Sequence, residues 1–183
     1  MRILAGALKG RRLITPRGET TRPTADQVRI ALMDTLTPRL PEARVLDLFA
    51  GAGGVGLEAI SRGAAHATFV ERDARAVTAL RDNVKALEVG ALVAVRRGDV
   101  LRELPALLAG GERFDIVFLD PPYDAGLAET TLEMLGWSGL TRPDALVIAQ
   151  HFTKTPPAPV VGRLGSFRTR RFGETTLTFY RAG

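Results

Sequence analysis

Short apolar runs alternate along this chain with longer stretches in which apolar residues recur at helical spacing. Five of the runs predict strands, and they span residues 44–49, 67–71, 93–97, 114–119 and 145–149. The first of them is expected to be buried. Helical spacing follows the first run at residues 57–62 and the third at Leu101, Leu104, Leu107 and Leu108. Strands that alternate with helices predict an α/β protein with a mostly parallel sheet.

The two ends of the chain carry hairpin patterns. Residues 167–172 and 175–180 flank Gly173 and predict an antiparallel hairpin, which a proline-rich loop at 155–159 separates from the fifth strand. Residues 2–5 and 11–14 predict two short strands around a turn. The spacing from Thr24 to Gln27 is that of a capping box and predicts a helix; the core-facing residues of that helix would be Val28, Ala31, Leu32, Thr35 and Leu36. We expect one domain over residues 1–183, with a basic appendage at 1–40 and a core at 41–183.

Carboxylates lie at the ends of four predicted strands. Asp47 is near the end of the first, Glu71 closes the second, Asp99 follows the third and Asp120 follows the fourth. Because the carboxyl ends of parallel strands meet at one edge of a sheet, we expect all four to line one cleft. For Asp99, a role as the cap of the next helix is an equally good interpretation.

A glycine-rich loop joins the first strand to its helix. Gly51, Gly53 and Gly56 permit positive φ and close backbone approach, and the start of the following helix offers free amides to a ligand. The same spacing fits a nicotinamide dinucleotide site. However, Asp47 would add unfavourable negative charge beside a pyrophosphate and would favour an ammonium group. The loop therefore indicates S-adenosylmethionine, with Glu71 placed for its ribose diol, although Asp47 could also simply accept backbone amides.

The fourth strand ends in the motif Asp120-Pro121-Pro122-Tyr123. Prolines fix φ and lack an amide hydrogen, so the backbone there is rigid. The Asp120 carboxylate and the Pro121 carbonyl could then accept both hydrogens of an exocyclic amine, while the Tyr123 ring stacks on the base. An ordinary turn is the alternative interpretation of the same residues.

Charge is distributed unevenly along the chain. Residues 1–30 hold seven Lys or Arg and two acids, residues 151–183 hold six and one, and the middle holds twelve and seventeen. Basic ends around an acidic core predict a nucleic acid bound around the pocket of a cationic cofactor; a solvated basic surface is the alternative. Arg22 and Arg29 bracket the predicted helix start, and we expect them to contact RNA or the active site unless they pair with Glu19 or Asp26.

Composition excludes several chemistries. The chain has no cysteine, which removes thiolate nucleophiles, cysteine zinc sites and iron–sulfur clusters. His66 and His151 are too few and too far apart to predict a metal cluster, and His151 is expected to be a partly exposed polar residue. No long apolar run or charged leader is present, so we expect a cytoplasmic protein that binds neither membrane nor metal. Direct attack of an amine on a sulfonium methyl group is the mechanism that remains.

Motifs from most of the chain carry a resemblance to a known family. The most restricted is Arg22-Pro23-Thr24 with Val28-Arg29; the others lie at residues 2–6, 9–13, 47–53, 120–123 and 172–177. Together they resemble the bacterial 16S ribosomal RNA guanine-N2 methyltransferase family. The resemblance implies a Rossmann-like class I methyltransferase whose sheet has seven mostly parallel strands, a carboxyl-terminal antiparallel hairpin and a small amino-terminal hairpin and helix.

The resemblance also implies a role for each motif. The residues implied to bind S-adenosylmethionine are Asp47, Phe49, Ala50, Gly51, Gly53, Glu71, Asp99 and Val100, the last two beside its adenine. Those implied to hold the target guanine are Asp120, Pro121, Pro122 and Tyr123. Those expected to contact 16S rRNA or the small ribosomal subunit are Arg2, Lys9, Arg11, Arg12, Arg22 and Arg29. Relatives tend to place an acid near Gln150, and this chain has none there. We expect a monomer.

Three other functions fit part of the pattern. An adenine-N6 methyltransferase of DNA or RNA would use the same Asp-Pro-Pro-Tyr chemistry, but a DNA enzyme needs additional surface to read a duplex and flip a base. A nicotinamide oxidoreductase is disfavoured by Asp47 and by the basic ends. A non-catalytic RNA-binding module would explain the charge and leave the four strand-end acids without a role.

Overall fold

The structure, a computed structural model, describes residues 1–16, 23–122 and 126–183. The described strands are β1 (Arg44–Leu48), β2 (His66–Glu71), β3 (Val93–Arg97), β4 (Phe114–Leu119), β5 (Thr141–Phe152), β6 (Val160–Val161), β7 (Leu164–Phe172) and β8 (Thr175–Ala182). The described helices are α1 (Pro23–Leu36), α2 (Gly54–Ser61), α3 (Ala74–Leu87), α4 (Val100–Ala109) and α5 (Leu127–Ser138). All five predicted strands and the carboxyl-terminal hairpin are therefore confirmed, although β3, at the edge of the sheet, is only half-buried.

The strands form a single sheet in the order β3-β2-β1-β4-β5-β8-β7-β6. Strands β1 to β5 are parallel, and β8, β7 and β6 continue the sheet in antiparallel pairing. The predicted count of seven strands was wrong by one, because the two-residue strand β6 pairs with the edge of β7. So short a strand gives no alternating or apolar pattern that a sequence argument could detect.

The amino-terminal segment does not form the two strands that were predicted. One antiparallel bridge joins Arg2 to Arg12, and side chains of α2 satisfy much of the remaining backbone. Glu58 accepts hydrogen bonds from the amides of Leu4 (2.7 Å) and Ala5 (3.0 Å). The two segments still pair through their backbones, because the amides of Ile3 and Leu13 donate to the carbonyl oxygens of Arg11 and Met1, both at 3.0 Å. The pairing is too short to count as two strands, and Glu58 satisfies the amides that lie beyond it.

Helix α1 begins at Pro23, one residue before the predicted cap, so Thr24 lies within the helix. Proline is well suited to a first helical position, where its missing amide hydrogen costs nothing. The predicted core side is confirmed for Val28, Ala31, Leu32 and Leu36, which are buried, while Thr35 is half-buried. Met33 and Arg29 are buried as well.

Each face of the sheet carries its own apolar core. One core includes Phe69, Leu80 and Ile116, together with Ile3, Leu13, Val28 and Leu32 from residues 1–40. The other includes Leu104, Leu119, Leu135 and Tyr180. The predicted appendage thus packs against α2, α3 and the sheet, which fixes its position relative to the carboxyl edge. None of the helices in the described part of the chain is long and apolar enough to cross a membrane.

Candidate active site

A cavity of about 560 Å³ opens at the carboxyl edge of the parallel strands. Strand β1 lies between β2 and β4, with Asp47 paired in register with Phe69 and with Phe118. The cavity is lined by seven of the residues predicted to bind the cofactor or the target base, Asp47, Phe49, Ala50, Gly51, Glu71, Asp120 and Pro122. Three of the four strand-end acids therefore meet in one cleft, because parallel pairing brings the ends of β1, β2 and β4 together.

The glycine loop that forms one wall is held in an unusual backbone conformation. Phe49, Gly51 and Gly53 all have positive φ, of 60°, 55° and 85°. For Phe49 this conformation costs about 1–3 kcal/mol, and such strain clusters at ligand sites. A Cβ atom at Gly56 would lie 2.3 Å from the Phe69 ring, so glycine there allows α2 to pack closely against β2. The backbone conformation of the loop and the close packing of α2 thus hold this wall of the cavity in place.

Asp47 is 2% exposed, and its Oδ2 accepts the backbone amide of Gly56 at 2.9 Å. Burial is the main cause that raises the pKa of Asp47 to about 8, and the charges of Asp120 and Glu71 act in the same direction. The hydrogen bond from Gly56 opposes the rise. Asp47 therefore does accept a backbone amide of the loop, as one interpretation predicted, and it also lines the cavity.

We predict that Asp47→Asn makes the stability of the protein less sensitive to alkaline pH. A carboxyl group with a raised pKa binds more protons in the folded protein than in the unfolded chain. Its stabilising contribution is full below about pH 4 and is lost as pH rises towards about 8. In thermal unfolding, the melting temperature of the wild type relative to that of the variant should therefore decrease as the pH is raised from 5 to 9. A difference that is constant with pH would contradict the raised pKa.

Glu71, at the end of β2, binds two backbone amides. Its Oε2 accepts from Gly51 at 2.8 Å and its Oε1 accepts from Asp73 at 2.8 Å. Each carboxylate oxygen has a second lone pair, so Glu71 can fix the glycine loop and still accept a hydrogen bond from a ligand in the cavity that it lines.

Asp120 follows β4, and its amide is 3.5 Å from the carbonyl oxygen of Leu48. Desolvation by burial raises the pKa of Asp120 to about 7. Pro122 lines both the first cavity and a second one of about 370 Å³, and Pro121 lines the second. Tyr123 lies outside the described residues. A carboxylate that titrates near neutrality thus lines the first cavity, and the two prolines that follow it border the second.

Three predicted cofactor-binding residues lie away from the cavity wall. Asp99 is exposed and its Oδ1 accepts from the amide of Leu101 at 3.0 Å, so it caps α4 as the alternative interpretation predicted. Val100 is buried beside it. Gly53 caps α2, and a Cβ there would meet Leu80. Their contacts with a cofactor stay predictions.

The predicted RNA-binding residues divide into two groups. Arg2, Lys9, Arg11 and Arg12 are exposed on the amino-terminal segment; the Nη2 of Arg11 also donates to the carbonyl oxygen of Ala86. Arg22 lies outside the described residues. Arg29 is only 6% exposed and lines the cavity, so of the two contacts predicted for it, RNA or the active site, its location favours the active site.

The cavity also contains residues that the sequence argument missed. Arg72 directly follows Glu71, which is a signal that could have been used, and Gln150 lies near the end of β5. Met1 gave no sequence signal. It reaches the wall because the amino-terminal segment packs on α2, so closely that a Cβ atom added to Gly54 would be only 2.8 Å from the sulfur of Met1.

His151 is buried, which corrects the expectation of a partly exposed side chain. Its Nδ1 donates to the carbonyl oxygen of Phe152 at 2.9 Å, and its Nε2 accepts from the hydroxyl of Thr178 at 2.8 Å. Burial lowers its pKa. A neutral His151 therefore joins β5 to β8.

Five parallel strands, a glycine loop after the first of them and acids at the ends of its neighbours define a Rossmann-like class I methyltransferase fold. A family model described as "Conserved hypothetical protein 95" matches residues 1–181. The Bacillus subtilis protein YlbH is 35% identical over 181 residues, covering 99% of this chain and 98% of YlbH. Ribosomal RNA small subunit methyltransferase D of Escherichia coli K12 is 33% identical over 180 residues, covering 98% and 89%.

Among solved structures, the Escherichia coli protein yhhF superimposes with a TM-score of 0.87 at 33% identity, covering 100% of this chain and 97% of yhhF. The chain therefore belongs to the family that includes ribosomal RNA small subunit methyltransferase D. The resemblance predicted from the motifs is confirmed.

Proposed function

We propose that this protein transfers the methyl group of S-adenosylmethionine to the exocyclic N2 amine of a guanine in 16S rRNA, either free or within the small ribosomal subunit. The observation that carries the proposal is the shared cavity in which Asp120 lies beside the glycine loop and Glu71. The name of the Escherichia coli relative, a small-subunit ribosomal RNA methyltransferase, supports the choice of substrate.

The residues of the cavity fit the proposed cofactor. A volume of about 560 Å³ is in the usual range of small-molecule sites. A bound ammonium group would favour the ionised form of Asp47 and pair with its carboxylate, and Glu71 offers oxygens to the ribose diol. An ideal Cβ at Gly51 has no atom within 4 Å, and the missing side chain leaves room for a ligand to approach the backbone. When bound, S-adenosylmethionine supplies an electrophilic methyl group on its sulfonium.

Asp120 and the prolines after it would act on the amine. The Asp120 carboxylate and the Pro121 carbonyl accept the two hydrogens of N2, which directs the nitrogen lone pair away from them. The negative charge of Asp120 also stabilises the positive charge that develops on nitrogen. With a pKa of about 7, Asp120 is ionised in a large fraction of molecules at neutral pH. The excess proton then passes to Asp120 or to water.

Exposed cations at both ends of the chain support binding to RNA. Arg2, Lys9 and Arg12 are exposed at the amino terminus, and Arg168 and Arg171 are exposed on β7. The two ends are joined, because the Nη1 of Arg170 donates to the carbonyl oxygen of Ala31 in α1 at 3.1 Å. We propose that this surface binds rRNA phosphates and that the protein acts in the cytoplasm as a monomeric single domain. Phosphate contacts of this kind weaken steeply with salt.

Transfer of tritiated methyl groups tests the proposal. The purified protein should label small-subunit RNA, or small subunits, from a bacterial strain in which the corresponding gene is deleted, and digestion should recover the label as N2-methylguanosine. RNA from the parent strain, already methylated at the target, is the matched control and should accept little label. Label recovered as N6-methyladenine, in RNA or in DNA, would overturn the choice of guanine N2.

A further inference from the structure

We propose that Arg29 binds the carboxylate of the methionine end of S-adenosylmethionine and is thus a cofactor-binding residue. The inference deepens the proposed function and rests on it for the identity of the cofactor. It depends on the hydrogen bonding, the location and the charge of this one side chain.

The hydrogen-bonding capacity of Arg29 is only partly used. Its Nη2 donates to the carbonyl oxygen of Arg2 at 2.9 Å and to the Oδ1 of Asp26 at 3.1 Å. Its Nε and Nη1 are buried and have no hydrogen-bond partner within the described ranges of the chain. An unpaired buried donor carries a desolvation cost, which is larger when the group is charged. An acceptor that enters the cavity would remove this cost.

The location of Arg29 indicates which part of the ligand it binds. Gly54 is the first residue of α2. If it carried a Cβ atom, that atom would lie 3.6 Å from the Nη1 of Arg29. The first amides of a helix have no acceptor within the helix and lie at its positive end. Arg29 and the start of α2 thus form a positive region of the cavity wall that suits an anion.

An acidic side chain lies next to this positive region, and a bound ammonium group would favour its ionised form. Asp47 accepts the amide of Gly56 in the first turn of the same helix, and it lines the same cavity as Arg29. Asp47 can pair with the ammonium group of an amino acid, and Arg29 can pair with its carboxylate. The two side chains are therefore complementary to the two charged groups of an amino acid. Burial lowers the pKa of Arg29, while the charges of Asp26 and Glu58 oppose that shift; arginine nevertheless stays protonated in proteins.

Binding calorimetry with two ligands tests the role. The first is S-adenosylhomocysteine, and the second is its decarboxylated analogue, which has the same thioether and amine but no carboxylate. Wild-type protein should bind the first more tightly, by about 10- to 100-fold, the usual range for hydrogen bonds to a charged group. Arg29→Gln should remove most of this preference by weakening the first ligand only, and Arg29→Lys should retain part of it.

The control variant is Arg113→Gln, which removes an exposed arginine just before β4, at the edge of the sheet opposite the cavity, and should leave both affinities unchanged. Equal loss for both ligands in Arg29→Gln would show a purely structural role and overturn the inference. Equal affinity of wild-type protein for the two ligands would also overturn it, even if the variants fail to fold, and would leave the proposed function standing. Failure of wild-type protein to bind either ligand would instead overturn the proposed function together with this inference.

Discussion

The Asp120→Asn substitution is expected to lower the rate constant of methyl transfer by about 10²- to 10³-fold, a loss typical of removing one preorganised electrostatic group. Asparagine keeps the shape of the side chain but has no negative charge, and one of its two terminal groups is a donor. Its amide oxygen can still accept one amine hydrogen, but asparagine can neither stabilise the developing positive charge as aspartate does nor take the proton. Single-turnover kinetics at saturating cofactor would measure the loss.

The affinity for S-adenosylhomocysteine should change little in this variant, because the cofactor contacts are assigned to other residues. Asp115→Asn is the matched control. Asp115 lies on the same strand β4, but it accepts from the backbone amide of Arg44 and from Arg142 and does not line the cavity. Full activity of Asp120→Asn would refute the amine-binding role.

Asp120 also predicts a pH signature for the wild-type enzyme. Its pKa of about 7 means that the ionised fraction falls nearly tenfold for each pH unit well below 7. The rate constant at saturating cofactor should therefore rise with pH up to about 8 and then level off, and this dependence should be absent from Asp120→Asn. A flat profile in the wild type would mean that the ionised carboxylate is not required.

Glu71→Gln is expected to weaken binding of S-adenosylhomocysteine by about 10- to 100-fold, the usual range for a lost hydrogen bond to a charged group. Glutamine has one acceptor oxygen, whereas Glu71 uses both of its oxygens for the amides of Gly51 and Asp73. The variant therefore loses a ligand contact and also loosens the glycine loop at Gly51. Calorimetry gives the affinity, and thermal unfolding gives the accompanying loss of stability.

The control for Glu71 is Asp99→Asn. Asp99 caps α4 from an exposed position, and asparagine is an equally good cap, so cofactor affinity and stability should both be retained. Weaker binding in this variant would instead support the predicted contact of Asp99 with adenine. Unchanged affinity in Glu71→Gln would show that the ribose assignment is wrong.

The sequence by itself determined the sheet and most of the site. The five runs specify strands because their length and apolar composition are local properties of the sequence, and the acids at their ends converge because parallel strands share one carboxyl edge. Asp47, Glu71 and Asp120 could be predicted to lie together for this reason, and the glycine spacing indicated a loop with positive φ. The positive φ of Phe49 gave no sequence signal. Strand β6 could not be predicted, since two residues carry no periodicity.

Only the tertiary structure decided which polar groups face the cavity. Arg29 and Asp99 both looked like site residues, yet Arg29 lies in the cavity wall and Asp99 on the surface. The location of Arg29 depends on the docking of the amino-terminal segment on α2 through Glu58, a contact between residues more than 50 positions apart, because Arg29 is bonded to Arg2 of that segment. Local patterns specify an element and its faces, but the partner that covers a face is set by packing between distant segments.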